Sequence, residues 1–320
     1  MDVVDATSTL SVATSDDTER APRRSSTAPA GLVIGGAACL SASAMFVKLA
    51  DITAGTVAFL RCALALGILV PLLVHEIRRN GRLARRLQGY AALAGVFLGI
   101  DYVMWTMSIL DVGAAVATVL INVQVIAFPL LARLIGGTVM SRRFLCTTPV
   151  MLGGITLASG ALQGGAEDGS PVRGTLLGVC AGVAYAAYLY LNRLSGERSP
   201  VHVVTPVCIS TAAAAVTAGV VGMCTTGITL SMSPASWGWI LALALLGQVA
   251  AWLLISTGTP QLAPNTSAAL LLLQPVMAMG CGLLILRETP TAWQLAGCVV
   301  VIAAVWFSHR TPRKGADSGP

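Results

Sequence analysis

The sequence predicts an all-α integral membrane protein, with ten transmembrane helices arranged as two inverted five-helix repeats. Three observations predict this class: the composition, ten long apolar stretches, and the placement of basic residues. The 320 residues are 55% hydrophobic and 11% charged, with a mean hydropathy of +0.79, whereas soluble domains carry roughly 25% charged residues. A soluble fold of this length could not bury so much apolar surface.

Apolar stretches follow one another along the chain, and most are long enough to cross a bilayer. Those of the second half contain no Asp, Glu, Lys or Arg. Short links join the stretches. The predicted spans are 31–49, 54–74, 89–109, 113–134, 144–162, 174–192, 204–225, 237–257, 266–286 and 291–308.

The predicted domains follow the two halves of the chain. Residues 1–30 are rich in Ser, Thr, Ala and Asp and lack an apolar signal-peptide core, so we expect a disordered cytoplasmic tail. Residues 31–162 and 174–309 form the two repeats. An external linker covers 163–173, and residues 310–320 form a second cytoplasmic tail.

Basic residues mark the predicted cytoplasmic side of the membrane. With ten spans and a cytoplasmic N-terminus, 16 of the 20 Lys and Arg residues fall on that side, as the orientation rule predicts. Only Arg173 and Arg287 fall on the opposite side. The net charge of +6 therefore reflects membrane orientation rather than nucleic-acid binding, and we expect a multi-pass protein of a bacterial-type cytoplasmic (inner) membrane.

Motifs for enzymatic, cofactor or metal chemistry are missing from the sequence. It contains no GxSxG, no P-loop and no HExxH. The eight cysteines lie in apolar stretches without a CxxC pair, and the three histidines form no cluster. We therefore expect no catalytic residues, no cofactor and no metal site.

The two halves resemble each other at a spacing of roughly 145–150 residues. The corresponding pairs are Gly31 with Gly174, Gly35 with Gly178, Trp105 with Trp252, Asp111 with Gln261, and Gln124 with Gln274. The Gly-x-x-x-Gly pairs favour close helix packing. Five spans per repeat make the halves enter the membrane in opposite directions, an arrangement typical of secondary transporters with a substrate site near the midplane.

Arg61 and Asp101 are charged residues deep within predicted spans. At 1.5 Å per helical residue both lie roughly 10–13 Å below the outer surface, so we hypothesise that they face one polar cavity. A charge in hydrocarbon is usually functional or paired. Two interpretations stay open: Asp101 couples transport to protons or cations with Arg61 as counter-charge or substrate anchor, or the pair only neutralises itself and joins two helices.

Further polar and aromatic side chains complete the candidate substrate site. Gln124 and Gln274 occupy similar places in the two halves, where amides serve either as helix contacts or as site residues. Lys48 ends the first span and either snorkels to the interface or binds substrate. The candidate aromatic wall comprises Tyr102, Trp105, Tyr185 and Trp252.

Pro129 and Pro275 lie inside predicted spans. Proline removes a backbone hydrogen bond and can kink a helix, so both are candidates for bending between transport states. Proline is also common in ordinary membrane helices, and this second interpretation stays open.

The segment 265–308, NTSAALLLLQPVMAMGCGLLILRETPTAWQLAGCVVVIAAVWFS, has a mid-span proline followed by Glu288, Trp293 and Gly297. It resembles the end of an EamA-type repeat of the drug/metabolite transporter superfamily. Lys48 followed by residues 59–61 is similar to the start of the first such repeat. The resemblance covers residues 31–308 and implies ten helices, cytoplasmic termini and a central cavity. Relatives mostly move amino acids, metabolites or drugs, commonly outward and often with protons.

Three departures from that family pattern concern particular residues. The first repeat has no acid near 138–140, where the counterpart of Glu288 falls, and Pro129 is displaced relative to Pro275. Asp101 is not part of the family's general pattern, which suggests a subgroup that handles cationic substrates. Glu288 falls in an outer loop, where we expect it to cap or pin a helix end.

These observations together predict a secondary transporter that exports small metabolites, amino acids or drug-like compounds by alternating access, with coupling to protons left open. The alternative is a non-transporting membrane scaffold or sensor with the same fold. Expected partners are the lipid bilayer, a small-molecule substrate and protons, with no nucleic acid. The chain is expected to act as a monomer or a homodimer.

Overall fold

The computed structural model describes residues 27–136, 142–158, 170–196, 198–199, 201–262, 270–271 and 273–309. All regular structure in these residues is helical. The helices are α1 (Thr27–Ala50), α2 (Ala54–Asn80), α3 (Arg85–Val112), α4 (Ala114–Leu120), α5 (Gln124–Gly136), α6 (Arg142–Ala158), α7 (Pro171–Gly196), α8 (Val204–Thr225), α9 (Pro234–Ala242), α10 (Ala251–Gly258), α11 (Leu273–Leu284) and α12 (Ala292–His309).

Two of the membrane-length helices are composite. A 3-10 turn at Ile121–Val123 joins α4 to α5, and a π-helix at Leu243–Ala250 joins α9 to α10. A second 3-10 turn, Thr259–Gln261, follows α10. Segments of π-helix often occur at functional sites.

Seven helices in the described part of the chain are long and apolar enough to cross a membrane. They are Ala28–Ala50, Ala54–Asn80, Arg85–Val112, Ala114–Ile135, Pro171–Ser195, Val204–Thr225 and Pro234–Gly258. Two shorter apolar helices are Cys146–Leu157 and Ala292–Ala304. For the described residues, an all-helical fold with membrane-length helices is thereby confirmed, whereas the count of ten and the inverted repeat remain predictions.

Several helices begin or end at residues other than those predicted. Helix α1 begins at Thr27, inside the range predicted as a tail, and α7 begins at Pro171, inside the predicted linker. Proline suits a helix start because its missing N–H has no intrahelical partner there. The predicted span 144–162 is helical up to Ala158, and the rest of it lies outside the described residues.

Helix α3 lies at the centre of the bundle, where it packs against α7 and α8, while α2 packs against α8 and α6 against α12. Small residues permit the close approach. A Cβ on Gly178 of α7 would lie 2.8 Å from the Ser108 hydroxyl, and one on Gly55 would lie 2.7 Å from the Cα of Gly222. The prediction of close packing is wrong for Gly31, because nothing lies within 4 Å of a Cβ built there.

Carboxylates tie helix starts at both ends of the bundle. At one end, called here the arginine-rich end because Arg78, Arg79, Arg82, Arg85 and Arg86 adjoin it, Glu76 of α2 binds the start of α8. Its Oε1 accepts hydrogen bonds from the backbone N–H of Val203 and of Val204, at 2.8 and 2.9 Å, and its Oε2 accepts one from Thr205 at 2.7 Å.

At the other end, called the opposite end, Glu288 binds the start of α4. Its carboxylate accepts hydrogen bonds from the N–H groups of Ala114 at 2.7 Å and Ala115 at 3.1 Å. Lys48 Nζ lies 3.6 Å from the same carboxylate. A carboxylate at a helix start satisfies otherwise unpaired N–H groups and interacts favourably with the helix dipole, and this geometry is a helix cap. Both acids join residues of one predicted repeat to the other.

Candidate functional site

A cavity of about 40 Å³ lies among helices of both predicted repeats, with room for about three water molecules. Its lining comes from α1, α3, α4, α7, α10, α11 and the 3-10 turn after α4. The lining residues are Leu40, Ser43, Asp101, Tyr102, Trp105, Thr118, Ile121, Tyr185, Trp252 and Gln274. The structure therefore brings together six of the residues singled out from the sequence.

Two of the aromatic rings that line the cavity, Tyr185 and Trp252, pack together with Tyr188. Tyr185 stacks on Tyr188 with ring centroids 5.9 Å apart, and Tyr188 meets Trp252 edge to face at 5.2 Å. Tyr185 also contacts Trp252 at 6.1 Å. Offset and edge-to-face arrangements are the favourable geometries for aromatic pairs, so these three rings stabilise one another.

A buried chain of hydrogen bonds begins at Trp252. Trp252 Nε1 donates to the Tyr102 hydroxyl at 3.2 Å, and that hydroxyl donates to Gln248 Oε1 at 2.6 Å. Gln248 Nε2 then donates to Thr211 Oγ1 at 2.9 Å. Because each partner is buried, loss of one member leaves another without a hydrogen bond. The chain fixes Tyr102 relative to the π-helix and α8.

Arg61 lies next to the cavity without being part of its lining. Its side chain is 1% exposed. Its guanidinium carbon is 3.8 Å from the centre of the Tyr102 ring, and its Nη2 donates to the Gly247 carbonyl at 3.2 Å. A guanidinium over an aromatic face is a cation–π contact. Arg61 therefore braces Tyr102 from behind, and its Nε and Nη1 have no hydrogen-bond partner.

Asp101 lines the cavity, and one of its carboxylate oxygens is unsatisfied. The residue is 2% exposed, and its Oδ1 has no hydrogen-bond partner. The hypothesised ion pair with Arg61 is wrong, since no nitrogen of Arg61 lies within 4.0 Å of an Asp101 oxygen. The physical reason is that Arg61 is engaged by the Tyr102 ring and the Gly247 carbonyl. The carboxylate is thus left available to a ligand.

The two glutamines paired by the sequence repeat lie in different surroundings. Gln274 lines the cavity, and its backbone carbonyl accepts a hydrogen bond from Ser41 Oγ at 2.9 Å. Gln124 begins α5 and does not line the cavity, and its Oε1 is buried without a hydrogen-bond partner. The repeat spacing alone therefore did not predict a shared environment.

The remaining candidates fall at the opposite end and within α5, α11 and α12. Lys48 is at the opposite end, beside Glu288. Pro129 lies within α5 and Pro275 within α11, and their gating role stays a prediction. In α12, Trp293 is 62% exposed and Gly297 is buried, positions that suit a lipid-facing ring and a helix contact.

Ser43, Thr118 and Thr211 were not singled out from the sequence, whereas Gln248 was expected only to face the bundle interior as a polar residue within a span. Ser43 and Thr118 line the cavity, while Gln248 and Thr211 support it. One signal was available: Gln248 follows Asp101 by 147 residues, the same spacing that separates Trp105 and Trp252. Within the described ranges, no three or more His, Cys, Asp or Glu side chains are grouped so that they could hold a metal ion.

The chain matches the model of the EamA-like transporter family twice, over residues 28–160 and 172–309. The chain belongs to the EamA-like transporter family. The resemblance stated from sequence is confirmed, and the chain is a multi-pass membrane transporter of the drug/metabolite type. Members of this family are transporters and not enzymes.

Comparison with solved structures supports the fold of this EamA-like transporter. One solved chain, described only as "Crystal structure of protein", aligns with a TM-score of 0.58 over 88% of this chain and 96% of its own length. At 15% identity this likeness establishes the fold alone. A comparison with curated proteins found no match.

Proposed function

We propose that this EamA-like transporter is a secondary active exporter of small metabolites, amino acids or drug-like compounds that works by alternating access in exchange for protons. The observation that carries the proposal is the buried Asp101 oxygen without a partner, at a cavity that both predicted repeats line. Buried ionisable groups within membrane spans mark ion and substrate pathways. The substrate site is the cavity between Asp101, Gln274 and the aromatic wall.

The proposed architecture has ten spans in two inverted repeats. It is supported by the two family matches and by the seven membrane-length helices already described. The arginine-rich end faces the cytoplasm because Lys and Arg accumulate on that side. Both termini are then cytoplasmic, and the membrane is a bacterial-type inner membrane.

Alternating access requires the helices around the cavity to separate. Typical ligand pockets measure roughly 300–1,000 Å³, far more than the about 40 Å³ present here. Glu76 and Glu288 tie helices of different repeats at the two ends. In the proposed cycle one tie releases while the other holds, so the cavity opens to one side at a time.

Asp101 carries the exchanged proton in this proposal. The charged and titratable side chains around it are Arg61 of α2, Tyr102 of α3, and Tyr185 and Tyr188 of α7. Arg61 stays charged throughout, and the phenols serve as hydrogen-bonding groups. Asp101 is therefore the group whose charge changes during the cycle.

A metabolite screen on proteoliposomes tests the proposal. Purified protein is compared with empty liposomes, with and without an imposed proton gradient. The proposal expects at least one compound to cross the membrane faster than in empty liposomes. The flux of that compound should rise further when the gradient drives protons in the opposite direction. Flux that ignores the gradient would remove the coupling role of Asp101, and absence of flux across a broad panel would contradict the transporter itself.

Solvent access to the cavity tests the same proposal without knowing the substrate. Gln274→Cys is treated with a water-soluble thiol reagent, and the modified peptide is identified by mass spectrometry. The matched control is Val216→Cys, which is 68% exposed on the apolar outer surface of α8. Alternating access expects reaction at 274 and none at 216. A Gln274→Cys thiol that never reacts would favour the non-transporting scaffold.

A further inference from the structure

Several side chains that line the cavity can still accept hydrogen bonds, among them Asp101, Ser43 and Thr118. Asp101 Oδ1 is buried and has no partner. The Ser43 hydroxyl donates to the Cys39 carbonyl at 3.1 Å, and the Thr118 hydroxyl donates to the Ala114 carbonyl at 2.7 Å. A hydroxyl that has donated its proton keeps lone pairs for accepting. The cavity thus presents acceptors from three helices, one of them an unpaired carboxylate.

The same cavity is enclosed by rings whose faces attract cations. Tyr102, Trp105, Tyr185 and Trp252 all belong to its lining. The face of an aromatic ring carries partial negative charge, and groups of such rings recognise ammonium ligands. The rings also provide apolar contact for an alkyl chain next to a charged head. The Asp101 carboxylate and the aromatic rings therefore both favour a positively charged ligand.

Arg61 limits how much positive charge the ligand can carry. Asp101 is the charged residue among those that line the cavity, and Arg61 lies behind Tyr102, over the ring of that residue. A single ligand charge can be matched by Asp101. A second positive charge would meet the field of the buried guanidinium without a further acid in the lining.

The geometry points to a primary, monovalent ammonium group as the part of the substrate that binds between Asp101, Ser43 and Thr118. An –NH₃⁺ group has three N–H donors, enough to bond to one oxygen of each of these three side chains, and it is close in size to a water molecule. The cavity in its present size can hold the ammonium head group. The rest of the substrate can bind only when the surrounding helices move apart. This inference rests on the proposed function and names its substrate class.

The test uses a series of probes with similar chains and different head groups. The full-length protein in lipid nanodiscs is titrated with n-butylammonium, and binding is measured as the rise in the midpoint of thermal unfolding, because a ligand that binds the folded state stabilises it. Comparators are pentan-1-ol, pentanoate, N,N,N-trimethylbutylammonium and 1,4-butanediammonium. We expect butylammonium to bind at least tenfold more tightly than every comparator.

Two substitutions locate the binding. Asp101→Asn is expected to abolish the butylammonium shift, while Asp111→Asn, the same change on the same helix at a residue paired with Arg173, keeps it. Thr118→Val removes one acceptor and is expected to weaken binding roughly 3- to 10-fold. The unliganded unfolding midpoint of each variant shows whether it is folded, and Thr118→Val provides the test if Asp101→Asn does not fold.

Several results would overturn the inference. If the trimethyl compound binds as tightly as butylammonium, the N–H donors play no role in binding. If pentanoate binds more tightly than butylammonium, the site selects a negative charge and not a positive one. Unchanged binding in Asp101→Asn would place the ligand elsewhere. If liposomes transport a compound without a primary amine and butylammonium does not bind, the proposed transport function is supported and the primary-ammonium substrate class is wrong. Binding through Asp101 without any flux would keep the site and contradict the transporter.

Discussion

Corresponding positions of the two repeats differ in how their polar groups are satisfied. Asp101 and Gln248 are 147 residues apart, as are Trp105 and Trp252. In the second repeat Gln248 bonds both Tyr102 and Thr211, and Trp252 donates to Tyr102. In the first repeat neither Asp101 Oδ1 nor Trp105 Nε1 has a partner.

Under the proposed function, this difference separates a supporting half of the site, in the second repeat, from a binding half, in the first. A buried polar group without a partner costs about 1–3 kcal/mol, and the first repeat carries two of them at one cavity. The second repeat uses the equivalent positions to hold Tyr102 in place. The difference extends to the backbone, because Asp101 lies in the regular helix α3 whereas Gln248 lies in a π-helix.

Asp101→Asn should have the largest effect, since it removes the charge at the binding half. Hydrogen bonds to a charged group contribute about 1.5–3 kcal/mol, so we expect transport at subsaturating substrate to fall roughly 10- to 100-fold. The measurement is initial flux into liposomes, with Asp111→Asn as the control. If Asp101→Asn transports at the wild-type rate, the first repeat is not the binding half of the site.

Gln248→Leu should lower the free energy of unfolding more clearly than it lowers the transport rate. It leaves the Tyr102 and Thr211 hydroxyls without their partner, so the free energy of unfolding should fall by about 1–3 kcal/mol. Denaturant unfolding in detergent measures this change. We expect flux to decline less than in Asp101→Asn, and the opposite order would mean that Gln248 contacts the substrate.

A matched pair of tryptophan variants sharpens the comparison. Trp252→Phe removes a donor that Tyr102 uses, whereas Trp105→Phe removes a donor without a partner. The loss of ring volume is the same in both. Trp252→Phe should therefore be less stable than Trp105→Phe by about 0.5–1.5 kcal/mol, measured as the difference in unfolding free energy. Equal stabilities would show that the hydrogen bond to Tyr102 adds nothing.

Glu288→Gln should have the smallest effect and tests a carboxylate away from the cavity. It weakens the cap on α4 and the contact with Lys48, which should lower the unfolding free energy by about 0.3–1 kcal/mol. Substrate affinity should remain that of the wild type. A change in affinity as large as that of Asp101→Asn would mean that acids in general, and not the first-repeat site, govern binding.

Sequence reasoning predicted the helices and much of the cavity lining for one physical reason. Long apolar stretches must form helices in a membrane because backbone groups find no other partners there. Against that background Asp101, Trp105 and Gln274 are conspicuous, and the structure places them at one cavity. The family match also confirms the resemblance drawn from residues 265–308.

Other features depend on contacts that no local pattern encodes. The partner of Arg61 is a backbone carbonyl, that of Gly247 in the π-helix, so side-chain reasoning paired Arg61 with Asp101 instead. Ser43 and Thr118 look like ordinary membrane-helix residues because their hydroxyls bond to carbonyls of their own helices. The helix cap formed by Glu76 joins it to Val203, which is 127 residues away in the sequence.

Chemical labelling of Asp101 tests the central claim most directly. A hydrophobic carbodiimide reacts with carboxyl groups in apolar surroundings, and peptide mass spectrometry reports the extent of reaction at each acid. Butylammonium, or any compound found to be transported, is added at saturating concentration, and a butylamide at an activated carboxyl group is counted as labelling, because a primary amine attacks that group and displaces the urea. The account predicts that Asp101 is labelled and that the ligand protects it, with Glu76 and Glu288 unaffected. Labelling of Asp101 that is unchanged by a saturating transported compound would contradict the account.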